Sequence, residues 1–145
     1  MEILFVCTGN TCRSPMAEAM AKAAFPSGVT VSSAGIAAFG SSRASGHAAA
    51  AMKKRGLDLS GHTARSVTRE LLKRADVVLT MTSAHKQGLS AQYSEFSAKI
   101  FTLHEYAGTD KTDVTDPFGQ NLDVYERCAK EIEGAVLHIA RKIHQ

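Results

Sequence analysis

The chain has few cysteines, little net charge and no long apolar run. Its three cysteines are an odd number, which fits a reducing compartment better than a framework of disulfide bonds. No apolar stretch approaches the ~18 residues of a membrane-spanning helix. Glu2 interrupts the N-terminal apolar run, so no signal peptide is predicted. We therefore expect a cytoplasmic protein that does not act at a membrane.

The chain also lacks the patterns of nucleic-acid-binding and metal-binding proteins. The net charge of +3 is mild, and no block of like charges predicts a tail that binds nucleic acid. The six histidines are scattered without the spacing of metal ligands, so we expect neither a metal nor another cofactor. A length of 145 residues with 44% hydrophobic content suits one soluble domain with its own core.

Strand-like and helix-like segments alternate along the chain. The predicted strands are 3–6, 29–33, 76–81 and 99–103, and the predicted helices are 16–24, 46–55, 68–74, 83–92 and 122–143. For the first helix we expect Ser14 as the N-cap, Pro15 in the first position and Glu18 in the first turn. This alternation predicts an α/β fold with a parallel sheet that helices cover on both faces.

The loop between the first strand and the first helix has the composition of a phosphate-binding site. Backbone N–H groups at a strand-to-helix junction bind anions, and Gly9 and Asn10 tolerate the positive φ that a curled loop needs. Arg13 supplies a planar guanidinium that suits phosphate oxygens. Cys7 lies at the floor of the loop, where a thiolate is favoured and Ser14 can donate to the sulfur. These residues predict that Cys7 attacks phosphorus and is not an inert buried cysteine.

A segment far downstream supplies a candidate proton donor for the leaving group. Asp116 precedes Pro117, which favours an extended or turn conformation at that position. A carboxylic acid at the rim of a cleft can protonate the leaving group and then activate water as a general base. Asp113 is the alternative acid, although no proline follows it.

Residues 7–15 together with the Asp116-Pro117 pair resemble the low-molecular-weight protein tyrosine phosphatases, and the resemblance covers essentially the whole chain, 1–145. Within that family the sequence is most similar to the protein-arginine phosphatase branch, because of Thr11 in the loop and the residues that follow Asp116. The resemblance implies a single domain with a four-stranded parallel sheet in the order 2-1-3-4 and a phosphate-binding loop after strand 1.

The resemblance also implies the roles of the site residues. The catalytic residues that it implies are Cys7, Arg13 and Asp116. The substrate-binding residues are the remainder of the loop and one aromatic side chain after the acid, namely Thr8, Gly9, Asn10, Thr11, Cys12, Ser14 and Phe118.

The prediction of the substrate rests mainly on Thr11. The corresponding position in tyrosine-specific members is typically aliphatic, which suits a phenyl ring. A threonine hydroxyl can accept a hydrogen bond from a guanidinium, and Asp116 can add a charge-assisted contact to the same group. Phe118 suits either substrate, while Gly119 replaces a second aromatic residue of many tyrosine-specific members. We expect a monomeric phosphatase that hydrolyses phosphoarginine in phosphorylated proteins through a phosphocysteine, with phosphotyrosine as the alternative substrate.

Two other functions have the same loop chemistry. An arsenate reductase uses a closely similar loop, but it needs further cysteines that relay a disulfide, and residues 80–92 contain none. A non-catalytic phosphate-binding or phosphocarrier module would accumulate phosphocysteine and would not need Asp116.

Cys12 and Phe39 each have two interpretations, and Cys128 is assigned to the core. Cys12 can protect Cys7 by forming a disulfide under oxidation, or it can simply pack against the sheet. Phe39 lies in a Gly/Ser-rich segment after the second strand, where it can form a wall of the cleft or pack into the core. Cys128 falls on the apolar stripe of the last helix, so we expect it in the core.

Overall fold

Strands and helices alternate along residues 1–144, the part of the chain that the computed structural model describes. The strands are β1 (Glu2–Cys7), β2 (Thr30–Gly35), β3 (Val77–Thr80) and β4 (Ile100–Thr102). The α-helices are α1 (Arg13–Ala24), α2 (Gly46–Lys53), α3 (Arg69–Arg74), α4 (Ser83–Gln92), α5 (Leu103–Ala107) and α6 (Leu122–Ile143), with a 3₁₀ helix at Ser94–Lys99. Helices α4 and α6 have the predicted bounds.

The four strands form one parallel sheet in the order β2-β1-β3-β4, which confirms the predicted α/β architecture and strand order. β1 is central and pairs with β2 on one side and β3 on the other. The strand order reverses beside β1, and ligands of open α/β sheets bind at such a point, outside the carboxyl ends of the strands. Cys7, the last residue of β1, lies at this point opposite Gly35 of β2.

Helices cover both faces of the sheet, as predicted. On one face Phe5 packs in a core with side chains of α1, α2 and α6, among them Met16, Met52 and Ile132. On the other face Leu4 packs in a second core with side chains from α3, α4 and β4. After Glu2, the residues of β1 are buried on both faces of the sheet, which agrees with the continuously apolar sequence of 3–7. Within the described residues no helix is both long and apolar enough to span a membrane.

The start of α1 differs from the prediction. The helix begins at Arg13 with Cys12 as its N-cap, and no side chain caps it. Ser14 is therefore not the cap, Pro15 occupies the third helical position, and Glu18 lies beyond the first turn. Without a side-chain acceptor, the first N–H groups of the helix are left for an anion, whereas a capping serine would occupy one of them.

A short helix that was not predicted from the sequence, α5, precedes the segment that carries Asp116. Thr102 and Glu105 form a reciprocal capping box at the start of α5, which ends at Gly108 with φ of 77°. The helix has only five residues, too few for a hydrophobic period to indicate it. The loop that carries Asp116 therefore lies between two helices, α5 and α6.

Candidate active site

The loop between β1 and α1 is held in a curl by Asn10, which is completely buried. Its φ of 57° makes it the only non-glycine residue with positive φ among the described residues. The Asn10 side chain donates to Ser14 Oγ at 2.8 Å and to Ser33 Oγ at 2.9 Å, and it accepts from the Arg65 backbone N–H at 3.0 Å. Of the two loop residues that tolerate a positive φ, Asn10 adopts it and Gly9 does not.

The Cys7 thiol lies at the floor of this curl and is 3% exposed. Its Sγ is 2.9 Å from Ser14 Oγ. Because Ser14 Oγ accepts from Asn10, its own hydrogen remains available to the sulfur. Asn10 therefore orients the Ser14 hydroxyl so that it can donate to the Cys7 sulfur, which favours the thiolate form.

Arg13 joins the loop to the segment that carries the candidate acid. Its guanidinium is buried, and Nη1 donates to the Val114 carbonyl at 2.8 Å. Nη2 lies 3.7 Å from Asp116 Oδ2 and 3.5 Å from Thr8 Oγ1. This places a buried cation between the loop and a carboxylate at the surface.

Asp116, and not Asp113, faces the same cleft as Cys7. The Asp116 side chain is 51% exposed, and its Oδ1 accepts from the Phe118 N–H at 3.1 Å, which fixes the turn after the acid. Asp113 Oδ1 instead accepts from the Ser83 N–H at 2.8 Å, at the start of α4. The geometry therefore favours Asp116 as the acid, and Asp113 anchors its loop.

A cavity of about 380 Å³ lies over the loop. It is lined by every predicted site residue except Asn10 and Ser14, which are buried beneath the loop. Phe39, 84% exposed, and Phe118, 71% exposed, both line this cavity. Phe39 thus lines the cleft, and the alternative of packing into the core is wrong.

Cys12 and Cys128 are both free thiols in buried surroundings. Cys12 Sγ is 3.3 Å from Tyr125 Oη and 3.6 Å from Ser45 Oγ. Burial, followed by the hydrogen bond with Cys12, raises the pKa of Tyr125 to about 12. Burial likewise raises the pKa of the Cys128 thiol to about 12, in agreement with its predicted place in the core.

The sequence did not indicate two histidines that contact the loop. His62 Nε2 is 2.7 Å from the Asn10 carbonyl, and His85 Nε2 is 2.9 Å from Thr8 Oγ1. They stand 52 and 77 residues from their partners, so no local spacing could reveal them. Among the residues described, no three His, Cys, Asp or Glu side chains are grouped to hold a metal ion.

Gly35 supports the loop through its lack of a side chain. A Cβ at Gly35 would lie 2.6 Å from the Thr8 carbonyl oxygen and 3.0 Å from the Asn10 nitrogen. Gly35→Ala should therefore displace the loop backbone, weaken binding of inorganic phosphate and lower the free energy of unfolding by about 1–3 kcal/mol. Urea unfolding and phosphate titration measure both effects.

Gly28→Ala is the matched control, because a Cβ there meets nothing within 4 Å. If Gly35→Ala bound phosphate and unfolded as the control does, the close approach of β2 to the loop would have no energetic importance.

Residues 2–145 match the family described as low molecular weight phosphotyrosine protein phosphatase. The chain belongs to this family. A protein-arginine-phosphatase of Bacillus subtilis (strain 168) is 41% identical over 146 residues, which span 99% of this chain and 97% of that protein. A probable low molecular weight protein-tyrosine-phosphatase, EpsP of Ralstonia solanacearum, is 37% identical over 134 residues, which span 92% of this chain and 90% of EpsP.

A solved structure has the same fold along its length. The YwlE arginine phosphatase, in a cysteine-to-serine mutant whose active-site serine is phosphorylated, superimposes with a TM-score of 0.95 at 40% identity. The superposition covers 100% of this chain and 97% of that one. The family membership expected from the loop and from Asp116-Pro117 is thereby confirmed.

Proposed function

We propose that this protein is a protein-arginine phosphatase, which hydrolyses phosphoarginine in proteins through a phosphocysteine intermediate. The observation that carries the proposal is the cleft itself, where Cys7, the phosphate-binding loop, Thr11 and Asp116 line one cavity. Relatives named protein-arginine-phosphatase, similar over nearly the whole chain, support the choice of substrate.

In the first step the Cys7 thiolate attacks the phosphorus atom, forming an S–P bond as the P–N bond to arginine breaks. The loop N–H groups and Arg13 hold the charge that develops on the equatorial oxygens. Because Val114 fixes the guanidinium from behind at 2.8 Å, Arg13 is already in position when the anion enters. Asp116 donates its proton to the departing guanidine nitrogen.

In the second step water attacks the phosphocysteine. The Asp116 carboxylate formed in the first step takes the proton of this water, the O–P bond forms and the S–P bond breaks. Inorganic phosphate leaves, and both Cys7 and Asp116 return to their initial states. The phosphorylated active-site serine of the YwlE mutant supports a covalent intermediate at this position.

Thr11 is placed to distinguish the guanidino group from a phenyl ring. It is half-buried in the lining of the cavity, and its Oγ1 has only a weak contact, 3.7 Å from Cys12 Sγ. The hydroxyl can therefore accept from a substrate N–H. Phe39 and Phe118 also line the cavity, and their rings can stack on a planar group.

Thr11→Ile should lower kcat/KM for phosphoarginine peptides about tenfold to a hundredfold, because a hydrogen bond to a charged group contributes about 1.5–3 kcal/mol. Turnover of matched phosphotyrosine peptides should persist or rise, since an aliphatic side chain suits a phenyl ring. Phosphate release from the two peptides, measured in parallel, gives the ratio.

Thr11→Ser is the control, since it keeps the hydroxyl and should keep the preference for phosphoarginine. An isoleucine variant whose phosphoarginine turnover was unchanged would remove Thr11 from the specificity argument.

Phosphotyrosine is the second candidate substrate, because relatives named as tyrosine phosphatases share 37–39% identity with the chain and Phe118 can stack on a phenyl ring. Matched peptides that carry phosphoarginine, phosphotyrosine or phosphoserine decide between the substrates. Phosphate release chiefly from phosphotyrosine would overturn the proposed specificity, and labelling without release would indicate a phosphocarrier. The monomeric state and the cytoplasmic location stay predictions from the sequence.

A further inference from the structure

We infer that His85 is a positioning residue of the active site, whose neutral imidazole donates from Nε2 to Thr8 and leaves the Thr8 hydroxyl free to donate to the phosphoryl group. The inference rests on the proposed function of the cleft and extends the site to α4. It concerns the state of one side chain, so it can be tested apart from the identity of the substrate.

His85 is held against the loop by the start of α4. Its backbone N–H donates to Thr82 Oγ1 at 3.1 Å, the N-cap of that helix, and its Nε2 lies 2.9 Å from Thr8 Oγ1. Thr8 directly follows Cys7 and lines the cavity. The imidazole therefore contacts the residue next to the nucleophile from outside the loop.

The environment of Nδ1 decides which nitrogen carries the hydrogen. Nδ1 of His85 is buried from solvent and has no hydrogen-bond partner among residues 1–144. A hydrogen on Nδ1 would be a buried donor without an acceptor, which is rare in folded proteins. A bare Nδ1 with the hydrogen on Nε2 leaves no orphaned donor and makes the imidazole a donor to Thr8.

Burial, with a smaller contribution from Arg13, keeps the His85 imidazole neutral. Arg13 opposes protonation, whereas Asp113 and Asp116 favour it. Burial is the largest effect, and with Arg13 it outweighs both carboxylates and lowers the pKa of His85 to about 4. A protonated ring would also place an unpaired N–H in the buried position of Nδ1. Across the neutral range His85 thus stays uncharged.

The consequence for Thr8 follows from counting its hydrogen bonds. A hydroxyl has two lone pairs and one hydrogen. His85 Nε2 donates to one lone pair, and Arg13 Nη2, at 3.5 Å, lies at the limit of donating to the other. The hydroxyl hydrogen of Thr8 is then available to donate to an oxygen of a phosphoryl group bound in the cavity. This hydrogen bond strengthens as negative charge develops on that oxygen.

Nitrogen-detected NMR of the full-length protein tests the tautomer directly. We expect the His85 imidazole to be in the Nε2–H form at pH 7 and to stay neutral down to about pH 4. An Nδ1–H tautomer, or protonation of His85 already near neutral pH, would overturn the inference. This measurement needs no substrate, so failure of the proposed phosphatase activity would leave it intact.

Kinetics of two His85 variants test the role. His85→Phe should lower kcat about tenfold with little change in KM, less than the 10²–10³-fold that a direct oxyanion donor contributes. His85→Gln should recover most of the loss, because its amide can donate in place of Nε2. An equal loss in both variants would indicate that the ring merely packs.

A double-mutant cycle with Thr8→Val separates positioning from packing. Once the Thr8 hydroxyl is absent, His85→Phe should cause little further loss in kcat, since both substitutions remove the same interaction. Fully additive losses would contradict the inference. Should no phosphopeptide be turned over, binding of inorganic phosphate replaces kcat as the readout of the cycle.

Discussion

Cys7→Ser should lower turnover about 10⁴-fold or more while binding of inorganic phosphate remains. A hydroxyl is a far weaker nucleophile than a thiolate at neutral pH, whereas the loop donors do not depend on the sulfur. Asn10 holds the curl through Ser14, Ser33 and the Arg65 backbone, and none of these contacts involves Cys7. Phosphate release measures the first effect, and calorimetric titration with phosphate measures the second.

Cys128→Ser provides the matched control for this experiment. Cys128 lies on α6 outside the cavity, and its thiol stays protonated because burial raises its pKa to about 12. We expect its turnover to remain within about twofold of the unsubstituted protein, as for a cysteine that only packs. Substantial turnover by Cys7→Ser, or an equal loss in Cys128→Ser, would contradict the assignment of the nucleophile.

Local sequence determined much of the site, because the phosphate-binding loop is a local structure. Cys7 ends β1, Arg13 begins α1, and Asn10 lies in the short loop between them. Their grouping can therefore be predicted without knowledge of the tertiary fold. The wrong prediction of Ser14 as the N-cap of α1 also came from considering the local sequence alone. Ser14 has the side chain of an N-cap, but its hydroxyl bonds the Cys7 sulfur, and this contact could not be inferred from propensity.

Contacts between distant segments could not be predicted from the residues alone. The hydrogen bond from Arg13 to Val114 joins residues 101 apart, and that between His85 and Thr8 joins residues 77 apart. Neither has a repeating pattern in sequence, and both depend on the register of the whole sheet. For the same reason Phe39 had two interpretations until the structure showed its side chain exposed in the lining of the cavity.

Asp116 was predictable, although it is also distant, because the turn at Asp116-Pro117 resembles that of a known family. The structure adds the reason for choosing it over Asp113. Asp113 is occupied by the Ser83 N–H, whereas Asp116 Oδ2 faces Arg13 across the cleft. The sequence pattern identified Asp116 as the acid. The hydrogen bond that Asp113 accepts from Ser83 explains why Asp113 does not take this role.

Asp116→Asn should lower kcat for phosphoarginine peptides by about 10²–10⁴-fold, the contribution of a positioned general acid and base. The amide can still accept from the Phe118 N–H, so the turn at the rim is preserved. The loss should be larger for phosphoarginine than for an aryl phosphate. An unassisted arginine would leave as a strongly basic nitrogen, whereas a phenol, with a pKa of about 10, leaves more readily.

The experiment is most decisive when the rates of Asp116→Asn are compared on substrates with different leaving groups. Asp113→Asn is the matched control, since its amide oxygen can still accept from Ser83 and the side chain does not line the cavity. If Asp116 protonates the leaving group, the ratio of wild-type to Asp116→Asn rates falls steadily from phosphoarginine to 4-nitrophenyl phosphate. A ratio that did not depend on the leaving group would mean that Asp116 acts on the Arg13 guanidinium, 3.7 Å away, and not on the substrate.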